Sequence, residues 1–196
     1  MELEDKISSI NLLLQEVQNE IGPDDPEQYD ERRFLIRLPR GYIRKAAEHR
    51  KELKFIQNKT LRDNITYSEI LTDFYCWLLN RTDVGLILRE MIIKSGITLY
   101  CAIVESLLRT GSLSMIRASK SFPKRIEGFI KEEIITESFG KRLTWLWNVR
   151  DGIHLYLLNK PEYKRYNDDD YNKTAIITGE LVENLQGKHN HDTRLS

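Results

Sequence analysis

Two residues in the C-terminal half of the chain could perform acid–base and phosphate chemistry. Arg150 and His154 are four residues apart in the apolar stretch LTWLWNVRDGIHLYLL, residues 143–158. A spacing of four places two side chains on nearly the same side of a helix. An imidazole with an ordinary pKa of about 6.5 can take or give a proton near neutral pH, and a guanidinium can hold a phosphate. A structural role for the pair, such as capping, ion pairing or a dimer contact, is the alternative.

Helical periodicity dominates the elements that must position this pair. Residues 3–21 carry apolar side chains at alternating spacings of four and three, a heptad seam that could dock on the domain or on a second protomer. Residues 84–109 are apolar on most of the helix surface and are predicted to lie at the centre of the core. The polar segment Asn58–Asn64 is interpreted as a connection, and Phe34–Leu38 is the one place where a strand is allowed. Helices are predicted over residues 3–21, 42–56, about 66–80, 84–109, 122–135, 139–158 and 174–185.

Length and composition predict one soluble domain. The chain has 196 residues, of which 40% are hydrophobic and 31% are charged. Uninterrupted apolar runs such as Leu99–Val104 are far shorter than the roughly 20 residues of a membrane span. The opening MELEDK lacks the apolar segment of a secretory signal, and two cysteines are too few for a zinc site. We therefore expect a cytoplasmic protein without a membrane partner, a metal or a cofactor.

Charge is distributed unevenly, although the net charge is zero. Residues 1–31 carry ten acids and one Lys, a net charge of −9, whereas residues 32–62 carry eleven Lys or Arg and two Glu, a net charge of +9. Such asymmetry is typical either of a basic surface for polyanions or of two segments that pair with each other. The second explanation needs no nucleic acid.

Two segments together resemble a known family. The core pattern LYCAIVESLLR (99–109) precedes WNVRDGIHLY (147–156), and this order resembles the HEPN superfamily of compact helical bundles found in prokaryotic toxins and defence systems. Arg150 matches the Arg of the family signature, Asp151 the polar residue and His154 the His. Glu105 matches an acidic residue of the earlier core helix. Three residues separate Arg150 from His154, whereas the family usually has four to six, and the resemblance covers residues 84–185.

The resemblance implies a metal-independent endoribonuclease of toxin–antitoxin or defence type. RNA would be the substrate, a homodimer would form the cleft, and an antitoxin or other partner protein could inhibit it. Arg150 and His154 would be catalytic, with Asp151 or Glu105 orienting them. The implied organisation is an N-terminal helical extension (1–62) packed on the core, an HEPN-like all-α helical bundle (63–185) and a frayed tail (186–196).

Two alternatives remain open at the level of sequence. A catalytically inactive HEPN-like dimerisation or ligand-binding module predicts a buried, satisfied Arg/His pair and an exposed apolar patch, such as the 3–21 seam. A small-molecule sensor predicts a closed pocket ringed by aromatic side chains. Catalysis predicts an accessible pair with basic residues along its approach. The aromatic candidates are Trp77, Trp145 and Trp147, and the basic candidates are Arg117, Lys120, Lys124, Arg125 and the 32–62 segment.

Overall fold

Helices make up the regular structure of the chain. A computed structural model describes residues 2–21, 41–110, 121–153 and 165–195, and within these ranges it contains seven helices and no strand. The predicted all-α class is therefore confirmed, while the strand allowed at 34–38 lies outside the described residues. The helices are α1 (Leu3–Ile21), α2 (Ala46–Glu52), α3 (Lys59–Arg81), α4 (Leu86–Thr110), α5 (Phe122–Lys131), α6 (Glu137–Asp151) and α7 (Asp168–Leu195).

The chain divides into two compact units, residues 1–40 and 41–196. The sequence analysis placed a boundary after residue 62, but α2 packs along α3 in the second unit, where Arg50 and Asp63 join them by an ion pair of 2.7 Å. At the other end α7 continues to Leu195, so the segment interpreted as a frayed tail after residue 185 is helical.

Helix α4 occupies the centre of the second unit, as its apolar pattern predicts. It packs against α3, α5, α6 and α7, and its inward side chains, among them Ile97, Val104 and Leu107, are fully buried. Gly96 lets α7 approach closely, because a Cβ at this position would lie 2.4 Å from the Tyr171 ring. Helix α4 is long and apolar enough to cross a membrane. Half of its most apolar 18-residue segment is buried by the other helices, and the core helix of a helical bundle shows the same length, composition and burial.

Two helices begin earlier than the apolar pattern predicts. Helix α3 starts at Lys59 because the Asn58 side chain accepts a hydrogen bond of 3.0 Å from the Leu61 N–H, so the interpretation of 58–64 as a connection is wrong. Helix α7 starts at Asp168 instead of Thr174, and its first turn carries three aspartates, which the positive end of the helix dipole stabilises. Polar caps and charges, which apolar periodicity does not detect, determine both starts.

Helix α6 ends sooner than predicted, and this end positions the candidate site. Its last residue is Asp151, and the Gly152 N–H donates to the Asn148 and Arg150 carbonyls as the chain turns. Glycine is a poor helix former, so the turn agrees with its low propensity. Helix α6 therefore stops at Asp151, inside the predicted range 139–158. His154 itself lies outside the described residues.

Candidate functional site

Arg150 is held at the C-terminal end of α6 by an aromatic platform. Its guanidinium carbon lies 4.9 Å from the centre of the Trp147 ring, and Trp147 stacks on Phe122 with ring centres 4.4 Å apart. Both the aromatic face and the negative end of the helix dipole favour a cation at this position. The Arg150 side chain is half-buried and packs on Trp147 beside Cys101, and this packing positions its guanidinium.

A second guanidinium, which the sequence analysis missed, lies at the same turn. Nη2 of Arg165 sits so close to Gly152 that a Cβ on this glycine would be 2.6 Å from it. Arg165 is exposed and its guanidinium carbon is 5.8 Å from the Tyr166 ring centre. Two guanidinium groups thus border the turn that leads into His154. The basic run KRY (164–166) was the available signal, but its distance to Gly152 depends on how α7 packs.

The two predicted acidic residues occupy different surroundings. Glu105 of α4 pairs with Arg109 at 2.6 Å, while Asp151 is exposed. Burial raises the pKa of the Cys101 thiol to about 12. The positive charge of Arg150 lowers this pKa slightly, and the negative charge of Glu105 raises it slightly. Cys101 of α4 and Arg150 of α6 line the same small void, and the Cys101 thiol donates to the Leu146 carbonyl at 3.8 Å, so the fold brings α4 and α6 together at the site. Cys101 is buried and has a raised pKa, so it is not a nucleophile.

The predicted lining of the site is only partly present. Lys124 is exposed, but Arg125 is 6% exposed, so the prediction that Arg125 lines an approach for RNA is wrong. Arg117 and Lys120 lie outside the described residues. The tryptophans do not ring one pocket: Trp147 stacks on Phe122, Trp77 on Phe74 and Trp145 lies beneath Lys173. The void between Trp147 and Arg150 has no space for a water-sized molecule.

A buried polar cluster, also missed by the sequence analysis, lies where α2 meets α3. Asp73 accepts from the Arg44 side chain at 3.0 Å and 2.9 Å, from the Arg44 backbone N–H at 3.1 Å, and is 3.1 Å from Nε2 of His49. His49 is fully buried, and its Nδ1 lies 2.9 Å from Oε2 of Glu69, although no hydrogen bond joins these two atoms. The four-residue spacing of Glu69 and Asp73 on α3 was the one signal for this arrangement.

Burial keeps two members of this cluster, Glu69 and His49, uncharged near neutral pH. It raises the pKa of Glu69 to about 8; the Arg44 charge opposes this rise, while Glu52 and Asp73 add to it. Burial and the Arg44 charge lower the pKa of His49, and the Asp73 carboxylate acts against them. A neutral His49 donates from Nε2 to Asp73, which leaves Nδ1 as an acceptor toward Glu69.

A cleft of about 400 Å³ opens beside this cluster, between α2, α3, α4 and α7. Glu69 lies at its inner side and is 8% exposed, and its fully buried Oε2 atom faces Nδ1 of His49 at 2.9 Å. Its other polar lining residues are Arg44, Glu52, Thr72, Tyr100, Thr178, Glu183 and Gln186.

The unusual pKa of Glu69 predicts a loss of stability at mildly alkaline pH. The folded chain keeps the Glu69 proton up to about pH 8, whereas the unfolded chain releases it near the ordinary pKa of 4.5. The part of the folding stability that depends on protonated Glu69 is therefore complete below pH 4.5 and is lost as the pH rises through 8. His49, whose pKa is lowered from 6.5, acts in the opposite sense, but only below pH 6.5.

Between about pH 6.5 and 8 we expect the free energy of unfolding to fall by up to about 1.4 kcal/mol per pH unit. Glu69→Gln should remove most of this slope, because it removes the titrating group but leaves Arg44, His49, Glu52, Asp73, Tyr100 and Glu183 around it. Urea unfolding at three pH values measures the slopes, with Glu183→Gln as the exposed control. Equal slopes in wild type and Glu69→Gln would contradict the prediction.

Comparisons with known proteins were made at three levels. No family model, no curated protein and no solved structure matches the chain. Its function is therefore inferred from its own residues.

Proposed function

We propose that the chain is an HEPN-type, metal-independent endoribonuclease that cleaves RNA with Arg150 and His154. The observation that carries this proposal is the pair of guanidinium groups, Arg150 over Trp147 and Arg165 against Gly152, at the turn directly before His154. Guanidinium groups bind phosphate by charge-assisted, often bidentate hydrogen bonds. The imidazole of His154, four residues after Arg150 in the chain, would supply the acid–base group that RNA cleavage needs.

The chemistry uses the 2′-hydroxyl of the RNA as the nucleophile. His154 accepts the proton of this hydroxyl while its oxygen attacks the adjacent phosphorus, and the 5′-oxygen leaves and takes a proton from water. Arg150 and Arg165 stabilise the additional negative charge on the phosphate. The products are a 2′,3′-cyclic phosphate and a 5′-hydroxyl. No metal-bound water takes part in these steps.

The proposal includes the biological setting that the family resemblance implies. The enzyme would act in the cytoplasm as a homodimer, in a toxin–antitoxin or defence system, with a partner protein that holds it inactive. Asp151 and Glu105 would orient the catalytic pair, as the family resemblance implies.

A cleavage assay in EDTA tests the reaction. Purified protein is incubated with total RNA, the cut sites are mapped, and an oligonucleotide spanning one site is synthesised with and without a single 2′-deoxy sugar there. We expect cleavage in EDTA, a 2′,3′-cyclic phosphate end and no cut in the deoxy-substituted strand. Cleavage that requires Mg²⁺, or that proceeds at the deoxy position, would refute the proposed mechanism.

A second candidate function, an inactive HEPN-like dimerisation or binding module, is favoured by α1. Its heptad seam remains open to solvent, from 38% exposure at Val17 to 71% at Leu3. Apolar helix faces of this kind are typical of protein–protein contacts. Absence of cleavage, together with a stable complex formed through α1, would favour this second function.

A further inference from the structure

One face of α4 remains open to solvent, although the helix lies at the centre of the second unit. Spacings of three and four residues place the members of this α4 face on one side of the helix: Ile87, Met91, Ser95, Thr98, Ala102 and Ser106. Its members from Ser95 to Ala102 are exposed. At its N-terminal end the consecutive apolar side chains Leu86, Ile87 and Leu88 are 75%, 67% and 60% exposed. Exposed apolar surface of this kind is typical of a contact with another molecule.

The hydroxyl groups of the α4 face already donate within the helix. The Ser95 hydroxyl donates to the Met91 carbonyl at 2.8 Å, and the Thr98 hydroxyl donates to the Lys94 carbonyl at 2.9 Å. Lys94 borders the face, and its Nζ atom lies 5.9 Å from the centre of the Tyr166 ring. Burial of a hydroxyl costs little when its proton already has an acceptor, so another molecule can cover this face without supplying hydrogen bonds.

The spacing of the α4 face makes it complementary to a second copy of itself. Its members follow one another at four, four, three, four and four residues, which is the same pattern in both directions. Two copies that pack antiparallel about a two-fold axis would therefore place Ile87 against Ser106, Met91 against Ala102 and Ser95 against Thr98. The bulky half of each face would lie on the small half of the other, as a self-complementary interface requires.

The charges at the two ends of the helix favour this antiparallel pairing. Asp83 is exposed just before the start of α4, and the Arg109 side chain near its end is 60% exposed. An antiparallel pair brings Asp83 of one copy toward Arg109 of the other at both ends, whereas a parallel pair brings like charges together. Arg109 also pairs with Glu105 of its own helix, but a guanidinium has five N–H donors and can hold two carboxylates.

We propose that the chain forms a two-fold symmetric homodimer through antiparallel packing of the α4 faces of two copies. This interface gives a contact surface to the homodimer of the proposed function, and it rests on that function only for its biological role. It includes none of Arg150, His154 and Arg165, and its test measures mass. A failure of the interface and a failure of RNA cleavage are therefore distinguishable.

Analytical ultracentrifugation tests this interface. Wild type should have twice the mass of one chain, whereas Ala102→Glu and Thr98→Glu should each have the mass of one chain, because each buries unpaired charges between the copies. Ala47→Glu is the matched control: it makes the same change at an exposed position of α2 and should remain a dimer. Wild type with the mass of one chain, or dimers in both Ala102→Glu and Thr98→Glu, would overturn the proposal.

A charge pair introduced between the copies tests the antiparallel register. Met91→Lys/Ala102→Glu places an ammonium group opposite a carboxylate twice and should restore the dimer that Ala102→Glu abolishes. The two positions are about 16 Å apart along one helix, so they cannot pair within a chain. Ile87→Lys/Ser106→Glu makes the equivalent pair if the half-buried Met91 does not tolerate lysine, and circular dichroism verifies each fold. Folded double variants with the mass of one chain would refute the antiparallel pairing.

Discussion

Replacing either Arg150 or His154 by alanine is expected to reduce RNA cleavage by about 100- to 10,000-fold without unfolding the protein. The reason differs for the two residues. In the proposed mechanism His154 transfers the proton, and a positioned general base contributes a factor of about 100 to 10,000. In the same mechanism Arg150, which lies over Trp147, would hold the phosphate, so its loss would remove charge stabilisation in the transition state.

Arg150→Lys should recover little activity, because an ammonium group lacks the planar fork that contacts two phosphate oxygens. Lys141→Ala provides the matched control: it removes one exposed cation from the same helix and should retain wild-type rates. Single-turnover cleavage of a mapped oligonucleotide measures the rates, and circular dichroism verifies the fold. Equal rates in Arg150→Ala, His154→Ala and Lys141→Ala would show that another group cleaves the RNA.

Asp73→Ala is expected to lower the free energy of unfolding by about 3 kcal/mol. This value is near the lower end of the losses found when one partner of a buried ion pair is removed, because Arg44 retains access to water. The carboxylate accepts from the Arg44 guanidinium, the Arg44 backbone and His49, which is fully buried. Its removal leaves the His49 Nε2–H without a partner in a place that water does not reach, and an unsatisfied buried donor is costly.

Asp168→Ala is the control for this stability measurement. Asp168 pairs with Arg89 at 2.7 Å, but its side chain is 54% exposed, so its removal should cost less than about 1 kcal/mol. Urea denaturation of wild type and both variants at pH 7 gives the comparison. If the two variants lose the same stability, the buried cluster is not an important contributor to the fold.

Most helices could be predicted from the sequence, but several of their ends could not. Apolar periodicity is a local property, and it predicted α1 over its full length and α4 to within a few residues. The starts of α3 and α7 depend on polar groups, which apolar periodicity does not detect. These groups are the Asn58 side chain, which caps α3, and the carboxylates of Asp168–Asp170 in the first turn of α7. The early end of α6 followed from Gly152, which the apolar pattern around it concealed.

The sequence by itself determined the all-α class and the central position of α4, because spacing and residue type carry that information. Only the tertiary structure placed Arg165 against Gly152, brought Cys101 beside Arg150, and joined Arg44, His49, Glu69 and Asp73 into one buried cluster. These contacts connect residues from different helices, some of them far apart in the chain; the bond between Gln186 and Glu52 spans 134 positions. Periodicity within one helix shows which face is buried, but the partner of a buried polar group depends on which other helix packs there.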